Sequence, residues 1–250
     1  MNINKILSEI KKIGLLKLVF VIISISFLAL FITKWSVKTK LTKNNISTDK
    51  SEFLLINKLI PSAIFDVRYN SNSNFLGTKV DGYKASYCYL EKSAAMALKE
   101  VQKNAIKKGY SLKIFDCYRP QKAVDHFVRW AKDIGDTKMK NIYYPKIDKL
   151  DIIPKGYIAD KSGHTRGSTA DLTLVNIKNN IELDMGTPFD FFDTLSNTAD
   201  KRITLLQKKN RNILGSLMSN QGFVNYKLEW WHFTLNNEKF PNTYFNFDVK

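Results

Sequence analysis

The chain has 250 residues, enough for one large domain or two small ones, and its apolar share of 44% is typical of a protein that buries a core. Its formal net charge of +16 first suggests a nucleic acid or an anionic membrane as partner. The charge is spread along the chain, however, without a dense basic block or a basic stripe with interleaved aromatic residues. We therefore expect no nucleic-acid partner.

The first predicted element is an apolar segment, residues 15–32, which is interrupted only by Lys17 and two serines. It is just long enough to cross a bilayer core as a helix. We predict a transmembrane anchor within residues 1–35, in preference to a buried helix or to a signal peptide, because no convincing cleavage site follows it. Lysines flank both sides almost equally. Since a short N-terminal anchor usually leaves its short end inside, we expect a cell-membrane protein with its main domain on the periplasmic or extracytoplasmic side.

Residues 36–52 are polar and predict a linker, and the remaining residues, 53–250, predict one domain. Amphipathic periodicity and apolar alternation predict helices and short strands within that domain. Helices are expected at 91–108, from Pro120 through 123–130, and at 202–218, and strands at 112–115, 170–175, 223–226 and 231–235, the last two paired. Because no regular βαβ alternation connects them, we predict an α+β fold with a small, mainly antiparallel sheet and flanking helices.

The first candidate site lies around His164, one of only three histidines in the chain. Glycines and small residues surround His164, and Asp171 follows seven residues later at the start of a predicted strand. Imidazole and carboxylate groups are suitable zinc ligands, and this spacing requires a turn between them. Taken alone, such a pair is more often structural than metal-binding.

The second candidate site is the sequence Glu229-Trp230-Trp231-His232. His232 offers a third ligand, and Glu229, three residues earlier, suits a carboxylate that contacts a zinc-bound water. Three protein ligands and one open position are the arrangement of a catalytic zinc site, where a carboxylate acts as general base. We therefore predict one zinc ion per chain, at the sheet, with at least one of the two tryptophans in the core.

The third candidate site is Arg119, in the sequence Asp116-Cys117-Tyr118-Arg119-Pro120 between a predicted strand and a predicted helix. Arginine is a permanent cation with a planar set of donors. Beside the metal it would stabilise the oxyanion of a tetrahedral intermediate. A structural arginine that forms a salt bridge, for example with Asp116, explains the spacing equally well.

Together these sites resemble the D-alanyl-D-alanine dipeptidases of the vancomycin-resistance type, which belong to a zinc metallopeptidase superfamily with D-Ala-D-Ala carboxypeptidases and the hedgehog domain. The resemblance spans roughly residues 66–233. Besides the three sites, it includes residues 66–69, 74–75 and 80–83, the helix after Pro120, the sequence SGHTRGSTADLTL and residues 183–190.

The resemblance implies zinc ligands His164, Asp171 and His232, with Glu229 as catalytic base and later acid. It implies Arg119 as oxyanion stabiliser, which agrees with the roles inferred from side-chain chemistry. It also implies a small pocket for the free dipeptide D-Ala-D-Ala. There Asp190 is the expected partner of the substrate ammonium, and Ser162 the expected donor to its carboxylate. The implied activity is hydrolysis of this dipeptide to D-alanine in cell-wall peptide metabolism.

Two other functions remain open at this point. One is a D,D- or L,D-carboxypeptidase that trims longer peptidoglycan stem peptides with the same zinc chemistry. The other is a membrane-tethered wall-binding or signalling module that keeps zinc only for structure. The departure from the resistance dipeptidases is the apolar N-terminal segment, which leaves the biological role open between resistance and recovery of D-alanine outside the cytoplasm.

Three further residues could contribute to a site or to the fold. Cys88 and Cys117 are the only cysteines and predict either one disulfide in an exported protein or two buried thiols. His126 lies in the predicted helix after Pro120, where a structural or exposed histidine is expected rather than a metal ligand.

Overall fold

The computed structural model describes residues 45–250 of the chain. The predicted transmembrane segment, residues 15–32, and residues 36–44 of the predicted linker lie outside the described residues. Among the helices that are described, none is both long and apolar enough to cross a membrane.

Short strands and helices alternate irregularly along the described residues. In chain order the strands are β1 (Asn45–Ser47), β2 (Phe53–Leu55), β3 (Ile64–Phe65), β4 (Tyr89–Glu91), β5 (Tyr110–Asp116), β6 (Thr169–Asn176), β7 (Ile181–Glu182), β8 (Phe223–Asn225), β9 (His232–Leu235) and β10 (Thr243–Phe245). The helices are α1 (Ile56–Leu59), α2 (Lys92–Lys107), α3 (Gln121–Lys132), α4 (Lys140–Tyr143) and α5 (Leu205–Ser219), with 3-10 turns at Arg68–Asn70, Lys149–Asp151, Gly163–Arg166 and Thr194–Ser196.

A six-stranded sheet forms the centre of the described domain. Its strand order is β3-β5-β6-β9-β8, and β7 pairs with the end of β6. All of these pairs are antiparallel except β3 with β5. The predicted α+β class and a largely antiparallel sheet are therefore confirmed, and the one parallel pair makes the sheet mixed. β6 is buried along nearly its whole length because it lies between β5 and β9.

The three long helices match the predicted periodic segments to within a few residues. Buried apolar side chains of α2 recur at Ala94, Leu98, Val101 and Ala105, which is one face of a helix. In α3, Pro120 occupies the position before the first turn, where its missing N–H costs no hydrogen bond. The helix α5 begins one turn after the predicted start, because Thr204 and Gln207 form a reciprocal capping box there.

The described domain begins before Phe53, the first residue of its predicted range. Residues 45–47 fall in the predicted polar linker but form β1, which pairs in parallel with β10 near the other end of the domain. The compact unit accordingly spans Asn45–Lys250. A strand of three residues whose partner lies almost 200 residues away leaves no local signal in the sequence.

Aromatic side chains make up much of the core beneath one end of the central sheet. Phe75 contacts Tyr69, Phe127, Trp130 and Phe192 with ring centroids 4.9–6.1 Å apart. Such edge-on and tilted contacts bury large apolar areas and fix ring orientations. This cluster therefore provides a rigid wall for the cavity described below.

The two cysteines form a disulfide, which resolves the alternative that the sequence left open. Cys88 precedes β4 and Cys117 follows β5, and their Cα atoms are 5.3 Å apart. The bridge covalently joins the small β2–β4 sheet to the end of a central strand.

Candidate active site

His164 is placed by a tight turn directly before β6. The turn is the 3-10 segment Gly163–Arg166, in which the Ser162 hydroxyl accepts a hydrogen bond from the His164 backbone N–H at 3.3 Å. Gly167 ends the turn in the left-handed region with φ +87°, and a side chain there would collide with the Phe53 ring. Glycine is therefore required at position 167. The turn leaves His164 buried, with its ring directed into the domain.

Strand pairing places Asp171 and His232 beside each other. They are directly opposite residues of β6 and β9. Asp171 is 2% exposed, so its carboxylate lies below the protein surface. The antiparallel register of β6 and β9 thus brings His232 to Asp171, although the two residues lie far apart in sequence.

His164, Asp171 and His232 converge into one cluster. His164 Nε2 lies 3.2 Å from both His232 Nδ1 and Asp171 Oδ2, and His232 Nδ1 lies 3.2 Å from Asp171 Oδ1. One ligand atom from each of the three residues lies within 4.8 Å of the other two. This is the group of three that was predicted from the sequence.

The hydrogen bonds around the cluster leave lone pairs directed inward. His164 Nδ1 lies 2.7 Å from the Cys117 carbonyl oxygen, so Nδ1 carries the proton and donates, and the free lone pair is on Nε2. Burial lowers the pKa of His164, which favours this neutral imidazole. Asp171 Oδ1 is buried and, apart from the approach of His232 Nδ1 to 3.2 Å, finds no hydrogen-bond partner among the described residues. A neutral imidazole and an unsatisfied carboxylate oxygen are the donor set that a divalent cation requires.

Glu229 lies at the edge of the cluster in the turn between β8 and β9. Its Oε2 is 3.5 Å from His232 Nδ1. Asn225 holds this turn, because its side-chain amide donates to the backbone carbonyls of Glu229 and His232, at 3.0 Å each. Burial raises the pKa of Glu229 to about 7, although the nearby His232 favours the ionised form.

Arg119 forms a salt bridge with Asp116 and also lies close to Asp171 of the cluster. Its Nε donates to Asp116 Oδ2 at 2.9 Å, and its Nη2 is 3.5 Å from Asp171 Oδ2. The guanidinium carbon lies 5.1 Å from the centroids of the Tyr69 and Phe127 rings. The structural and functional interpretations of Arg119 are thus compatible, since the Asp116 pair orients the cation toward the cluster.

Asp116 is a residue of the site that sequence reasoning considered only as a structural partner of Arg119. It is 1% exposed, and its Oδ1 accepts a hydrogen bond from the Tyr83 hydroxyl at 2.6 Å. Its Oδ2 also lies 3.6 Å from His164 Nδ1. Asp116 therefore contacts both a candidate ligand and the candidate cation. The sequence feature that could have indicated a role for Asp116 in the site is its position three residues before Arg119, at the end of a buried strand.

A cavity of about 240 Å³ opens onto the cluster. Ser162 and Asp190 line it, as do Arg119, Glu229 and His232, so the structure brings all of these predicted residues to one space. His164 lies behind the cavity wall. The cavity is also lined by Tyr69, Tyr157, Tyr226 and Lys161, for which no individual role was predicted.

Asp190 is held in an unusual conformation at the cavity. Its φ is +60°, in the left-handed region, and its Oδ2 accepts a hydrogen bond from the Tyr69 hydroxyl at 2.8 Å. It is 6% exposed, and burial raises the pKa of its carboxyl. A non-glycine residue in this region carries strain, which is commonly found at ligand-binding positions.

The remaining candidates lie outside the cluster. His126 Nδ1 accepts a hydrogen bond from the Asp81 backbone N–H at 3.2 Å and is not among the clustered ligands. Trp230 and Trp231 are both buried, and Trp230 Nε1 donates to the Thr187 hydroxyl at 2.8 Å. Both tryptophans are therefore core residues, and they anchor the segment that carries Glu229 and His232.

Three potential metal ligands, a further buried carboxylate and an oriented guanidinium surround one small cavity, and this combination defines a hydrolase of the metallopeptidase class. Residues 49–250 match the model of the Peptidase_M15 family, described as D-ala-D-ala dipeptidase. The chain belongs to this family.

Individual relatives agree with that assignment. A D-alanyl-D-alanine dipeptidase of Enterococcus faecalis is 42% identical over 197 residues, which cover 79% of this chain and 98% of the relative. One from Enterococcus faecium is 39% identical over 198 residues, with the same shares of the two chains. The solved vancomycin resistance D,D-pentapeptidase VanY in complex with Zn(II) is 12% identical, with a TM-score of 0.37 over 62% of this chain and 77% of that one. A likeness that distant carries no argument.

Proposed function

We propose that this protein is a zinc-dependent dipeptidase that hydrolyses D-Ala-D-Ala to D-alanine. The observation that carries the proposal is the cluster of His164, Asp171 and His232 beside Glu229, at a cavity of about 240 Å³. The relatives that share up to 42% of their residues with this chain are named for the same activity.

The proposed zinc ligands are His164, Asp171 and His232, for one ion per chain. The fit rests on the inward Nε2 lone pair of His164 and on Asp171 Oδ1, which is buried and, apart from the approach of His232 Nδ1, has no hydrogen-bond partner among the described residues. When bound, zinc supplies a Lewis acid that lowers the pKa of a coordinated water and polarises the scissile carbonyl. The chain supplies the groups that position the substrate and move protons.

Glu229 is the proposed proton carrier. Its carboxylate borders both the cavity and His232, where a water that attacks the scissile carbonyl would lie. A general base works best when its pKa is near the working pH, and burial of Glu229 shifts its pKa toward neutrality. The proton that Glu229 accepts from water is then donated to the leaving amine, so the same residue acts as base and as acid.

Arg119 is the proposed stabiliser of negative charge on the substrate oxygen. The Asp116 carboxylate orients its guanidinium, and the aromatic rings of Tyr69 and Phe127 flank it. A cation fixed before the reaction stabilises developing charge without reorganisation.

Two cavity residues are proposed to bind the ends of the dipeptide. Asp190 would accept hydrogen bonds from the substrate ammonium, because its carboxylate lines the cavity and is oriented by Tyr69. Ser162 would donate from its hydroxyl to the substrate carboxylate. Groups that recognise both a free amine and a free carboxylate select a short, unblocked peptide.

Hydrolysis of D-Ala-D-Ala by the purified full-length protein tests the proposal. We expect release of D-alanine, its loss when a chelator removes the metal, and its return when zinc is added. A protein that holds zinc but releases no D-alanine would contradict the proposed function.

A longer-peptide activity is the second candidate. A neighbouring cavity of about 260 Å³ shares Gly156, Tyr157, Tyr226 and Glu229 with the first, so space exists beyond the dipeptide. Acetyl-D-Ala-D-Ala separates the two functions, since a dipeptidase that binds the free ammonium leaves it intact and a carboxypeptidase cleaves it. We expect no cleavage.

We further propose that residues 15–32 anchor the protein in the cell membrane, with the catalytic domain on the extracytoplasmic side. The Cys88–Cys117 disulfide supports this placement, because disulfides persist in oxidising compartments outside the cytoplasm. Intact cells stripped of their wall should expose the domain to added protease and retain the protein in the membrane fraction. Protection of the domain until the cells are lysed would contradict the proposed side.

A further inference from the structure

The Cys88–Cys117 disulfide joins the start of β4 to the turn whose Cys117 carbonyl contacts His164 of the candidate metal cluster. We propose that this disulfide is a positioning element of the metal site, which holds the Cys117 carbonyl against His164 and thereby raises the affinity for zinc. The inference rests on the proposed zinc site but not on the proposed substrate.

The first step is the direct contact of Cys117 with a proposed ligand. The Cys117 carbonyl oxygen accepts the hydrogen bond from His164 Nδ1 at 2.7 Å, and both residues are buried. A hydrogen bond on the far nitrogen of a metal-binding imidazole fixes its tautomer and ring orientation. The backbone at Cys117 therefore determines where the His164 lone pair points.

The second step is that the same turn carries two other groups of the site. Asp116 and Arg119 flank Cys117, and the Arg119 backbone N–H donates to the His164 carbonyl at 3.4 Å. A displacement of the turn would therefore move the Asp116–Arg119 pair together with the contact to His164.

The third step is the attachment of this turn to β4. β4 pairs with β2 in a separate small sheet, and the disulfide at its start is the covalent link to the turn. One backbone hydrogen bond, from Tyr118 N–H to the Tyr89 carbonyl at 2.9 Å, reinforces it. The Glu91 N–H also donates to the Gly167 carbonyl at 2.8 Å, so β4 contacts the His164 turn as well. β4 thus connects the two turns that meet at His164 Nδ1.

The consequence is a weaker metal site when the bridge is absent. Partners that orient a metal ligand typically contribute about 10- to 100-fold to metal affinity. We expect the double variant Cys88→Ser/Cys117→Ser to bind zinc about 10- to 100-fold more weakly than the wild type in competition with a chromophoric chelator. Serine variants are preferable to reduction for this measurement, because free thiols would themselves bind zinc.

The matched control is Gln102→Ala in the full-length protein. Gln102 is buried between α2 and β5, where it contacts Ser62, Ser111 and Leu112, so its loss destabilises the domain away from the turn. We expect this variant to lower the unfolding temperature and keep the zinc affinity of the wild type. Equal affinities in the double variant and the wild type, or an equal loss in the control, would show that the disulfide serves stability alone.

A second measurement uses the wild-type protein and so does not depend on the folding of a variant. Coupling between two sites is reciprocal, so zinc must stabilise the disulfide by the same factor. A 10- to 100-fold coupling corresponds to a midpoint potential about 30–60 mV more negative with zinc than without it, in glutathione buffers with free zinc fixed low enough that the reduced thiols bind none. Identical potentials would overturn the inference. A wild type that binds no zinc would instead contradict the proposed function.

Discussion

Asp171 contacts both histidines of the cluster and lies close to Arg119. Its two oxygens lie 3.2 Å from the two histidines, and one of them is 3.5 Å from the Arg119 guanidinium. These neighbours hold the pKa of Asp171 well below its usual range, despite its burial. Asp171 is therefore ionised at neutral pH, as a carboxylate that binds a metal ion must be.

Replacement of Glu229 by glutamine tests the role of its carboxylate. The amide keeps the size of the side chain but cannot accept a proton, so we expect kcat to fall about 10²- to 10⁴-fold. Zinc content and unfolding temperature should remain close to those of the wild type. Glu100→Gln, on the exposed face of α2, is the matched control and should keep the wild-type rate.

A folded, zinc-loaded Glu229→Gln protein with the wild-type rate would remove Glu229 from the mechanism. Unfolding of the Glu229→Ala protein would instead favour a structural role, as expected for a module that keeps zinc only for its fold.

Two histidines of the same chain provide a matched test of the proposed ligands. His164→Ala removes one of three ligands and should lose the stoichiometric zinc, whereas His126→Ala should retain one ion per chain. His126 lies outside the cluster and contacts Asp81 instead. The measurement is metal content by atomic emission after dialysis. Loss of zinc from the His126 variant would mean that the proposed ligand set is wrong.

The residues of the site were predicted more completely than their contacts. Imidazole and carboxylate chemistry, with the family resemblance, selected His164, Asp171, Glu229 and His232, and the structure brings them together. The contact of His164 with the Cys117 carbonyl could not be predicted, because every residue type has the same backbone oxygen.

At the scale of secondary structure, the site depends on one register. Asp171 and His232 meet because β6 and β9 pair with these residues opposite each other. A shift of one residue would turn one of the side chains to the other face of the sheet. The Asn225 side chain, which bonds to the Glu229 and His232 carbonyls, helps to fix the turn that sets this register.

Arg211 of α5 secures the segment that carries Asp190. It is 3% exposed, and its guanidinium donates to the carbonyls of Met185, Leu195 and Asn197 at 2.7–3.0 Å. Arg211→Ala would leave these buried carbonyls unsatisfied. We expect a loss of about 3 kcal/mol or more in the free energy of unfolding, measured by urea denaturation.

The control for this prediction is Lys208→Ala, an exposed position on the same helix, which should change stability by less than about 0.5 kcal/mol. Equal effects of the two substitutions would mean that the Arg211 contacts are not maintained in solution.

Elements with a local sequence pattern were predictable, and short elements without one were not. The periodicity of α2, α3 and α5 and the paired strands β8 and β9 are local properties of the sequence. By contrast, β1 and β2 are three residues each and exist only because β10 and β4 complete their hydrogen bonds. Their partners are specified by the tertiary structure, which explains why β1 was assigned to a linker.

At the scale of the whole domain, the proposed zinc ion would connect parts of the chain that lie far apart in sequence. Its ligands come from a turn, from β6 and from β9. A ligand that binds only the folded state stabilises it, by about 2.7 kcal/mol when its concentration is 100 times Kd.

Removal of the metal should therefore lower the unfolding temperature of the full-length protein as well as abolish activity. Calorimetry with and without a chelator measures the shift, and added zinc should reverse it. An unfolding temperature that is identical in both states, with activity lost, would indicate that the metal does not bind between these elements.

The last residues of the chain are built into the centre of the domain. Phe245 and Phe247 contact Phe53 at ring distances of 4.8 and 4.9 Å, and the Phe247 and Lys250 carbonyls accept hydrogen bonds from the hydroxyls of Tyr118 and Tyr89. Residues 245–250 therefore have to be in place before the core around Cys88 and Cys117 can close. These contacts join residues that lie far apart in sequence, so the closing of this core is a non-local step of folding, which the entropy of closing a long loop opposes.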